Sequence, residues 1–223
     1  MMGDLGKSAP ELAIVRAAFG CGEGLARTIA AHARSNDHAR SARLWPLDDR
    51  DETILLTRGN AHEVAYGRDG AMLVLLPLGP GDFYGSLLGA ADGETLVEAS
   101  SDGTGAHFAS GTVVCLMESY SCVALAMTRH LSARLATMRR RMVEAAMLSA
   151  TGRIAAEVLR RAGSGADNTI RPMPVFAELA IAVQSTRETV SRTVSQWEKR
   201  GLVKRVDGGL VVVAPHRLEE LVY

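Results

Sequence analysis

The chain has 223 residues, 47% of them hydrophobic, and its 25 Lys and Arg equal its 25 Asp and Glu in number. This length suits one large or two small domains with enough apolar residues for their cores. The longest apolar runs, such as residues 71–76, are far too short to span a bilayer, and the N-terminus lacks a signal-peptide pattern. Cys21, Cys115 and Cys122 are odd in number and lack C-x-x-C spacing, which argues against a disulfide framework and favours a reducing cytoplasm.

The neutral total conceals a division of charge along the chain. Residues 1–119 contain 9 Lys and Arg against 16 Asp and Glu, a net charge of −7. Residues 120–223 contain 16 Lys and Arg against 9 Asp and Glu, a net charge of +7. Because positive charge steers a protein onto phosphates, the C-terminal half is the half expected to contact nucleic acid.

The N-terminal region is predicted to be helical. Residues 1–10 have the composition of a disordered lead-in, and residues 11–19 and 23–32 are predicted to form two helices separated by Gly20-Cys21-Gly22. Residues 33–51 are polar and give no clear pattern of either helix or strand.

From residue 53 the pattern changes to short strands separated by glycine-rich turns. Alternating or continuous apolar runs predict six strands, at residues 53–57, 61–66, 71–76, 95–99, 106–110 and 112–117. Several short strands with turn signals at this spacing predict a small antiparallel jelly-roll barrel.

Residues 120–148 are predicted to form one long helix. Its apolar residues recur in steps of three and four, which is the spacing of a two-stranded coiled coil. The alternative is a helix packed on its own barrel, but arginines flank the apolar row and keep it narrow, which favours dimerisation. The predicted dimer residues are Met127, Leu131, Leu135, Met138 and Met142.

Residues 175–213 have the pattern of a helix, a turn, a second helix and a β-hairpin. The predicted helices are residues 176–183 and 186–200, and the hairpin strands are residues 202–206 and 210–213. A further amphipathic helix at 151–162 and a loop at 163–174 precede this unit, and a short helix at 215–222 follows it. Helix, turn, helix and wing together form a unit that reads the DNA major groove.

The second of these helices carries the predicted base-reading side chains Arg187, Glu188, Ser191 and Arg192. Arg matches the O6 and N7 atoms of guanine, and Glu accepts from the N4 amino group of cytosine. The alternative is a solvated helix face with an i,i+4 ion pair. The predicted phosphate contacts are Ser185, Thr186, Thr189, Arg153, Lys199, Lys204 and Arg205.

With its signature R-E-T-V-S-R, this segment resembles the winged helix-turn-helix of the cyclic-AMP receptor protein and fumarate–nitrate regulator (CRP/FNR) family. The resemblance implies an α+β chain with a sensor-like barrel at residues 1–118, a dimerisation helix at 119–148 and a DNA-binding domain at 149–223. It also implies a cytoplasmic homodimer that reads a palindrome with TGTGA-like half-sites in double-stranded DNA, with RNA polymerase as a possible partner.

The residues that bind cyclic AMP in family members are changed in this sequence. Aligned with the family, the ribose-binding Glu falls on Ser86, the phosphate-binding Arg-Ser pair on Thr104 and Gly105, and the adenine-reading Thr-Ser pair on Met138 and Arg139. Burying a phosphate without a paired cation costs several kcal/mol. We therefore expect no cyclic AMP binding of the usual kind and predict no cofactor or metal.

Other classes of function have weaker support in the sequence. The chain has no G-x-S-x-G, P-loop or H-E-x-x-H motif, so an enzyme is not expected. Thiol sensing by Cys115 or Cys122 stays open as an alternative input. The alternative to a DNA-binding regulator is a ligand- or protein-binding module whose winged helix is a docking surface.

Overall fold

The computed structural model describes residues 9–46, 51–68, 72–86, 95–163 and 165–222. The chain divides into two compact units, residues 1–138 and 139–223. Residues 1–8 of the predicted lead-in, residues 69–71 and residues 87–94 lie outside the described residues. Residues 9 and 10, which the prediction also assigned to the lead-in, are helical.

The first unit opens with two helices, α1 (Ala9–Ala18) and α2 (Glu23–Ala31), as the sequence predicts. Gly20, in the corner between them, has a φ of +58°, and a side chain there would crowd the Ala126 methyl group at 3.2 Å. Val15 and Phe19 of α1 pack with Ile29 of α2 against the outer face of the first sheet.

In the described part of the first unit, eight antiparallel strands form two four-stranded sheets. The first sheet has the order β1 (Arg34–His38), β8 (Gly103–Ala109), β3 (Glu52–Arg58) and β6 (Phe83–Gly85). The second has the order β2 (Arg43–Trp45), β7 (Leu96–Ala99), β4 (Ala61–Tyr66) and β5 (Met72–Leu78). The predicted antiparallel architecture is therefore present.

Side chains from both sheets fill the space between them. Successive residues of a strand face opposite sides, so Ile54 and Leu56 of β3 point inward while Leu55 packs with the helices outside. The inner cluster also contains Trp45 and Tyr84, and its remaining members are Leu44, Ala61, Leu78, Val97 and Ala99.

The strand predicted at residues 112–117 is wrong, because this segment lies in helix α3 (Ser110–Ser119). Val113 and Leu116, three residues apart, are its buried apolar residues, which is the helical spacing rather than the alternation of a strand. In addition, β1, β2 and β6 lie where no strand is predicted from the sequence. In the edge strand β1 only Ser35 is buried, so no apolar pattern marks it.

The predicted long helix is present as α4 (Ser121–Met147). Among the described residues no single helix is long and apolar enough to cross a membrane. Within the same described ranges, α3 and α4 taken together meet that test of length and composition, and they are bent by 119° with respect to each other.

The second unit contains the predicted helix-turn-helix and wing. Its helices are α5 (Ala150–Gly163), α6 (Phe176–Ala182), α7 (Arg187–Lys199) and α8 (Pro215–Glu219). The hairpin of β10 (Val203–Val206) and β11 (Gly209–Val212) turns at Gly208, and the short strand β9 (Thr169–Ile170), which the sequence did not predict, extends its sheet. Ile154, Leu179, Val194, Trp197 and Leu210 are buried in one core, so the helices and the wing form one packed body.

Candidate nucleic-acid interface

Helix α7 begins at a side-chain cap. Thr186 precedes the helix, and its hydroxyl oxygen accepts a hydrogen bond of 3.1 Å from the backbone N–H of Thr189. This bond satisfies one of the four donors that the start of a helix leaves unpaired. Glu188 lies in the first turn, where a negative charge interacts favourably with the helix dipole.

The two sides of α7 differ sharply in exposure. Val190, Thr193, Val194 and Trp197 are buried in the core of the unit. The predicted base-reading residues lie elsewhere on the helix: Arg187, Glu188 and Arg192 are exposed and Ser191 is half-buried. The helix therefore docks by its apolar side and leaves two guanidinium groups and one carboxylate available to a partner.

The turn between α6 and α7 is held tightly. Gln184 has a φ of +53°, and the N–H of Ser185 donates a 2.9 Å hydrogen bond to the carbonyl of Ala180. This backbone bond orients Ser185, a predicted phosphate contact, at the entrance to α7. Ser185 is half-buried, whereas Thr186 beside it is exposed.

Arg153, also predicted to contact phosphate, is bound to protein carbonyl groups. Its Nε donates to the carbonyl oxygen of Val183 at 2.8 Å, Nη1 to Leu148 at 2.9 Å and Nη2 to Gln184 at 3.1 Å. These bonds occupy three of the five guanidinium donors. The side chain is half-buried at the turn of the helix-turn-helix and does not extend freely from it.

The wing presents cations beside the end of α7. Lys204 and Lys199 are exposed. Arg205 forms an ion pair with Glu198 at 3.3 Å and lies 5.8 Å from the centre of the Phe176 ring. The Arg205 guanidinium is thus held in one place by a carboxylate and by an aromatic face.

Arg187 and Arg205 line the same open groove of about 400 Å³. The other residues that line it are Met173, Pro174, Val175, Phe176 and Ala177. The start of the predicted reading helix and the wing thus present positive charge to one concave surface.

Most of the predicted dimer residues form an exposed row on α4. Leu131 and Met138 are each 41% exposed, Leu135 is 58% exposed and Met142 is 69% exposed. Large apolar side chains this open on one helix are typical of an interaction surface. Met127 is not part of the row, because it is fully buried in the core of the first unit, against α1 and the sheet.

The structure does not bring the predicted pocket residues Ser86 and Thr104 together. The N–H of Ser86 donates to the carbonyl of Glu52 at one end of β3, whereas Thr104 is paired with Arg58 at the other end. These ends are six positions apart along the strand, which corresponds to roughly 20 Å. The Thr104 hydroxyl donates to Asp37 at 2.7 Å, a carboxylate that would repel a bound phosphate.

The remaining aligned positions also lack the geometry of a phosphate site. A side chain at Gly105 would lie 3.3 Å from the Tyr84 hydroxyl oxygen and 3.1 Å from Ile54, so the barrel interior is closed at this point. Met138 and Arg139 are exposed on α4. The described residues contain no group of three or more side chains able to hold a metal ion.

Two polar clusters in the first unit had no signal in the sequence. Glu52 of β3 is buried and binds both Arg34 of β1 and Nδ1 of His107 of β8, the latter at 3.0 Å. Arg134 of α4 binds Glu63 and donates to the carbonyl of Phe83 at 2.6 Å. Each cluster joins residues at least 18 positions apart, so neither local spacing nor periodicity could reveal it.

The thiols differ in their surroundings. Cys115 is exposed, and Cys122 and Cys21 are partly buried. Burial raises the pKa of the Cys21 thiol, and the neighbouring Cys122 raises it further. A raised pKa lowers the thiolate fraction and with it the reactivity of Cys21.

Comparison with known proteins covers both units. Residues 152–221 match the Crp-like helix-turn-helix domain family, and no curated protein sequence matches the chain significantly. FixK2 from Bradyrhizobium japonicum is 18% identical over 85% of this chain and 96% of its own, with a TM-score of 0.70. A CooA mutant from Carboxydothermus hydrogenoformans is 17% identical over 88% and 90%, with a TM-score of 0.75.

A CRP/FNR-family transcriptional regulator from Thermus thermophilus is 22% identical, over 84% of this chain and 97% of its own, with a TM-score of 0.61. At these identities the likeness is one of fold. It extends over nearly the whole length of the matched chains and thus includes the barrel as well as the helix-turn-helix.

Proposed function

Since this chain has the fold of the CRP/FNR family of transcription regulators and its residues 152–221 form a Crp-like helix-turn-helix domain, we propose that it is a sequence-specific DNA-binding regulator that acts as a homodimer. Residues 1–118 are then a sensor-like barrel domain, 119–148 the dimerisation helix and 149–223 the DNA-binding domain.

The observation that carries the proposal is the exposure of Arg187, Glu188 and Arg192 on a capped helix whose opposite side is buried. A helix held in this way can enter the major groove with these side chains foremost. Arg187 and Arg192 would contact guanines and Glu188 would accept from a cytosine, with Ser191 beside them. A TGTGA-like half-site contains G·C pairs of the kind these side chains read.

Contacts to the phosphates would come from the groups around this helix. Thr186, Thr189 and Ser185 lie at its start, Lys199 at its end, and Lys204 and Arg205 on the wing. Such contacts fix the register of the protein on the duplex without reading sequence.

Dimerisation supplies the second half-site. The exposed row of Leu131, Leu135, Met138 and Met142 has the spacing of a coiled-coil seam. A two-fold dimer would place two α7 helices about 34 Å apart, which is one turn of DNA and the geometry of a palindrome.

The proposed regulator does not use cyclic AMP in the usual way. Ser86 and Thr104 lie at opposite ends of β3, and Asp37 binds the Thr104 hydroxyl. Thr104 stands where the family has an arginine, and the guanidinium beside it, that of Arg58, is already paired with Asp37 at 3.4 Å. The alternative of a protein-docking module has no observation in its favour.

Selection of binding sites from a pool of random DNA duplexes tests the proposal directly. Wild-type protein is expected to enrich an inverted repeat whose half-sites are centred about one helical turn apart. The triple variant R187A/E188A/R192A, which leaves the buried side of α7 unchanged, is the matched control and is expected to enrich no sequence. Enrichment of no motif by the wild-type protein would overturn the proposal.

A further inference from the structure

The carbonyl groups that Arg153 binds belong to the ends of two different helices. Leu148 directly follows α4, and Val183 is the C-terminal cap of α6. Gln184 forms the turn that leads from α6 towards α7. One guanidinium thus joins the end of α4 to the turn of the helix-turn-helix, with donor–acceptor distances between 2.8 and 3.1 Å.

Two physical effects favour this arrangement. The last carbonyls of a helix have no partner within the helix, and they carry the negative end of its dipole. A guanidinium offers several N–H groups in a rigid plane, so it can satisfy carbonyls from two directions at once. The positions of the two helix ends are thereby fixed with respect to each other.

Ion pairs reinforce the same junction two turns further along α5. Arg160 of α5 binds Glu144 of α4 at 2.5 Å and also binds Glu157. Arg161 binds Glu157 at 2.8 Å. The crevice between these residues and Arg153 has a volume of only about 10 Å³, room for a single water, so the junction is closely packed.

We propose that Arg153 is a positioning residue, which sets the orientation of the helix-turn-helix with respect to the end of α4, and that it is not a phosphate contact. The proposal rests on the function proposed above and extends it to the spacing of the two half-sites. If α4 joins two copies of the chain, the angle between the end of α4 and α7 determines the distance between the two reading helices. A dimer with this angle fixed accepts one spacing and rejects others.

The test measures the DNA affinity of wild type, R153M and R153K over a series of salt concentrations. Three duplexes are used: one with the half-sites at the selected spacing, one with a base pair added between them and one with a base pair removed. Lysine keeps the charge but cannot bind three carbonyls in one plane. The discrimination between correct and altered spacing is expected to fall by about fivefold or more in both variants. The dependence of affinity on salt should stay that of the wild type.

A phosphate contact would behave differently. Loss of its charge in R153M would weaken binding equally at every spacing and reduce the salt slope by about 0.9, while R153K would retain binding. That result would overturn the proposal, and so would unchanged spacing discrimination in both Arg153 variants.

A second variant and a second measurement cover the case in which R153M does not fold. E144Q removes the charged partner of Arg160 on α4 and is expected to relax spacing discrimination in the same direction. If E144Q and R153K both discriminate between spacings as well as wild type does, the proposal is overturned. Amide hydrogen exchange in the DNA-free full-length protein should be faster at residues 183–186 in R153K. If wild type selects no DNA motif, the proposed function fails, and this exchange measurement still decides whether Arg153 holds the turn.

Discussion

The hydroxyl oxygen of Thr186 lies 3.1 Å from the backbone nitrogen of Thr189, and this hydrogen bond defines where the reading helix begins. Replacement of an N-cap threonine by alanine typically costs about 1 kcal/mol. T186A is therefore expected to lower the free energy of unfolding by about that amount, measured by urea titration. T186S keeps an oxygen at the cap and should stay within a few tenths of a kcal/mol of wild type; equal losses in both variants would show that the hydroxyl does not cap the helix.

Arg187 stands exposed in the first turn of α7, beside the groove that it shares with Arg205. R187A is expected to weaken binding to the selected palindrome by about 1–3 kcal/mol and to relax the preference at one base pair of each half-site. The measurement is a titration of wild type and variant against the palindrome and against each single substitution in it. An equal loss on specific and random DNA would assign Arg187 to the phosphates instead.

Lys204 is an exposed cation on the wing, with no sequence-reading role in the proposed complex. K204M is expected to lower affinity for all duplexes alike and to reduce the salt slope by about 0.9 for each phosphate that the lysine neutralises. R27M is the matched control, because it also removes one positive charge but from α2 in the other unit. A salt slope that falls as much in R27M as in K204M would point to overall charge and not to a wing contact.

The reading unit was predictable because its signals are local. Val190, Val194 and Trp197 have helical spacing on one side of α7, and Asp207-Gly208-Gly209 marks the turn of the wing. These residues form their elements largely from neighbours within a few positions, so the sequence contains most of the information. The ends of α6 and α7 accordingly fall within one residue of the predicted ends.

Features that depend on distant partners could not be predicted in this way. Residues 112–117 have the composition of a β-branched run, but Val113 and Leu116 pack as a helix into the core that the N-terminal helices form with the outer face of the first sheet. Arg153 has the sequence context of a free cation because its three carbonyl partners come from two other segments. Met127 continues the run of apolar residues at steps of three and four that contains Leu131, and the tertiary packing makes Met127 a core residue while Leu131 stays exposed.

Leu135 lies in the middle of the exposed apolar row of α4. In a coiled-coil dimer a glutamate at this position would face its own copy across the seam, where burying two unpaired charges is strongly unfavourable. L135E is therefore expected to be monomeric by sedimentation velocity and to lose binding to the palindrome. A136E places the same charge about 100° around α4 from Leu135, outside the apolar row, and should stay dimeric. Dimers of equal stability in both variants would exclude this row as the interface.

His130 of α4 is packed beside β6, with its ring edge-to-face against Phe83 at 5.3 Å and its Nδ1 atom 3.9 Å from Asp82. Burial lowers the pKa of this imidazole, Asp82 opposes the shift and Arg134 adds to it. Below a pH of about 6.5 the unfolded chain therefore takes up a proton that the folded chain does not, so the free energy of unfolding falls as the pH falls towards the lower folded pKa.

Urea titrations between pH 7 and pH 5 measure this loss, which amounts to at most about 1.4 kcal/mol per pH unit for one proton. H130Q, neutral throughout, is expected to show a shallower dependence on pH than wild type. A slope remains in H130Q because burial also lowers the pKa of His38. H32Q alters an exposed histidine of the same unit and serves as a control. If H32Q reduces the pH dependence as much as H130Q does, the burial of His130 is not the cause of the stability lost at low pH.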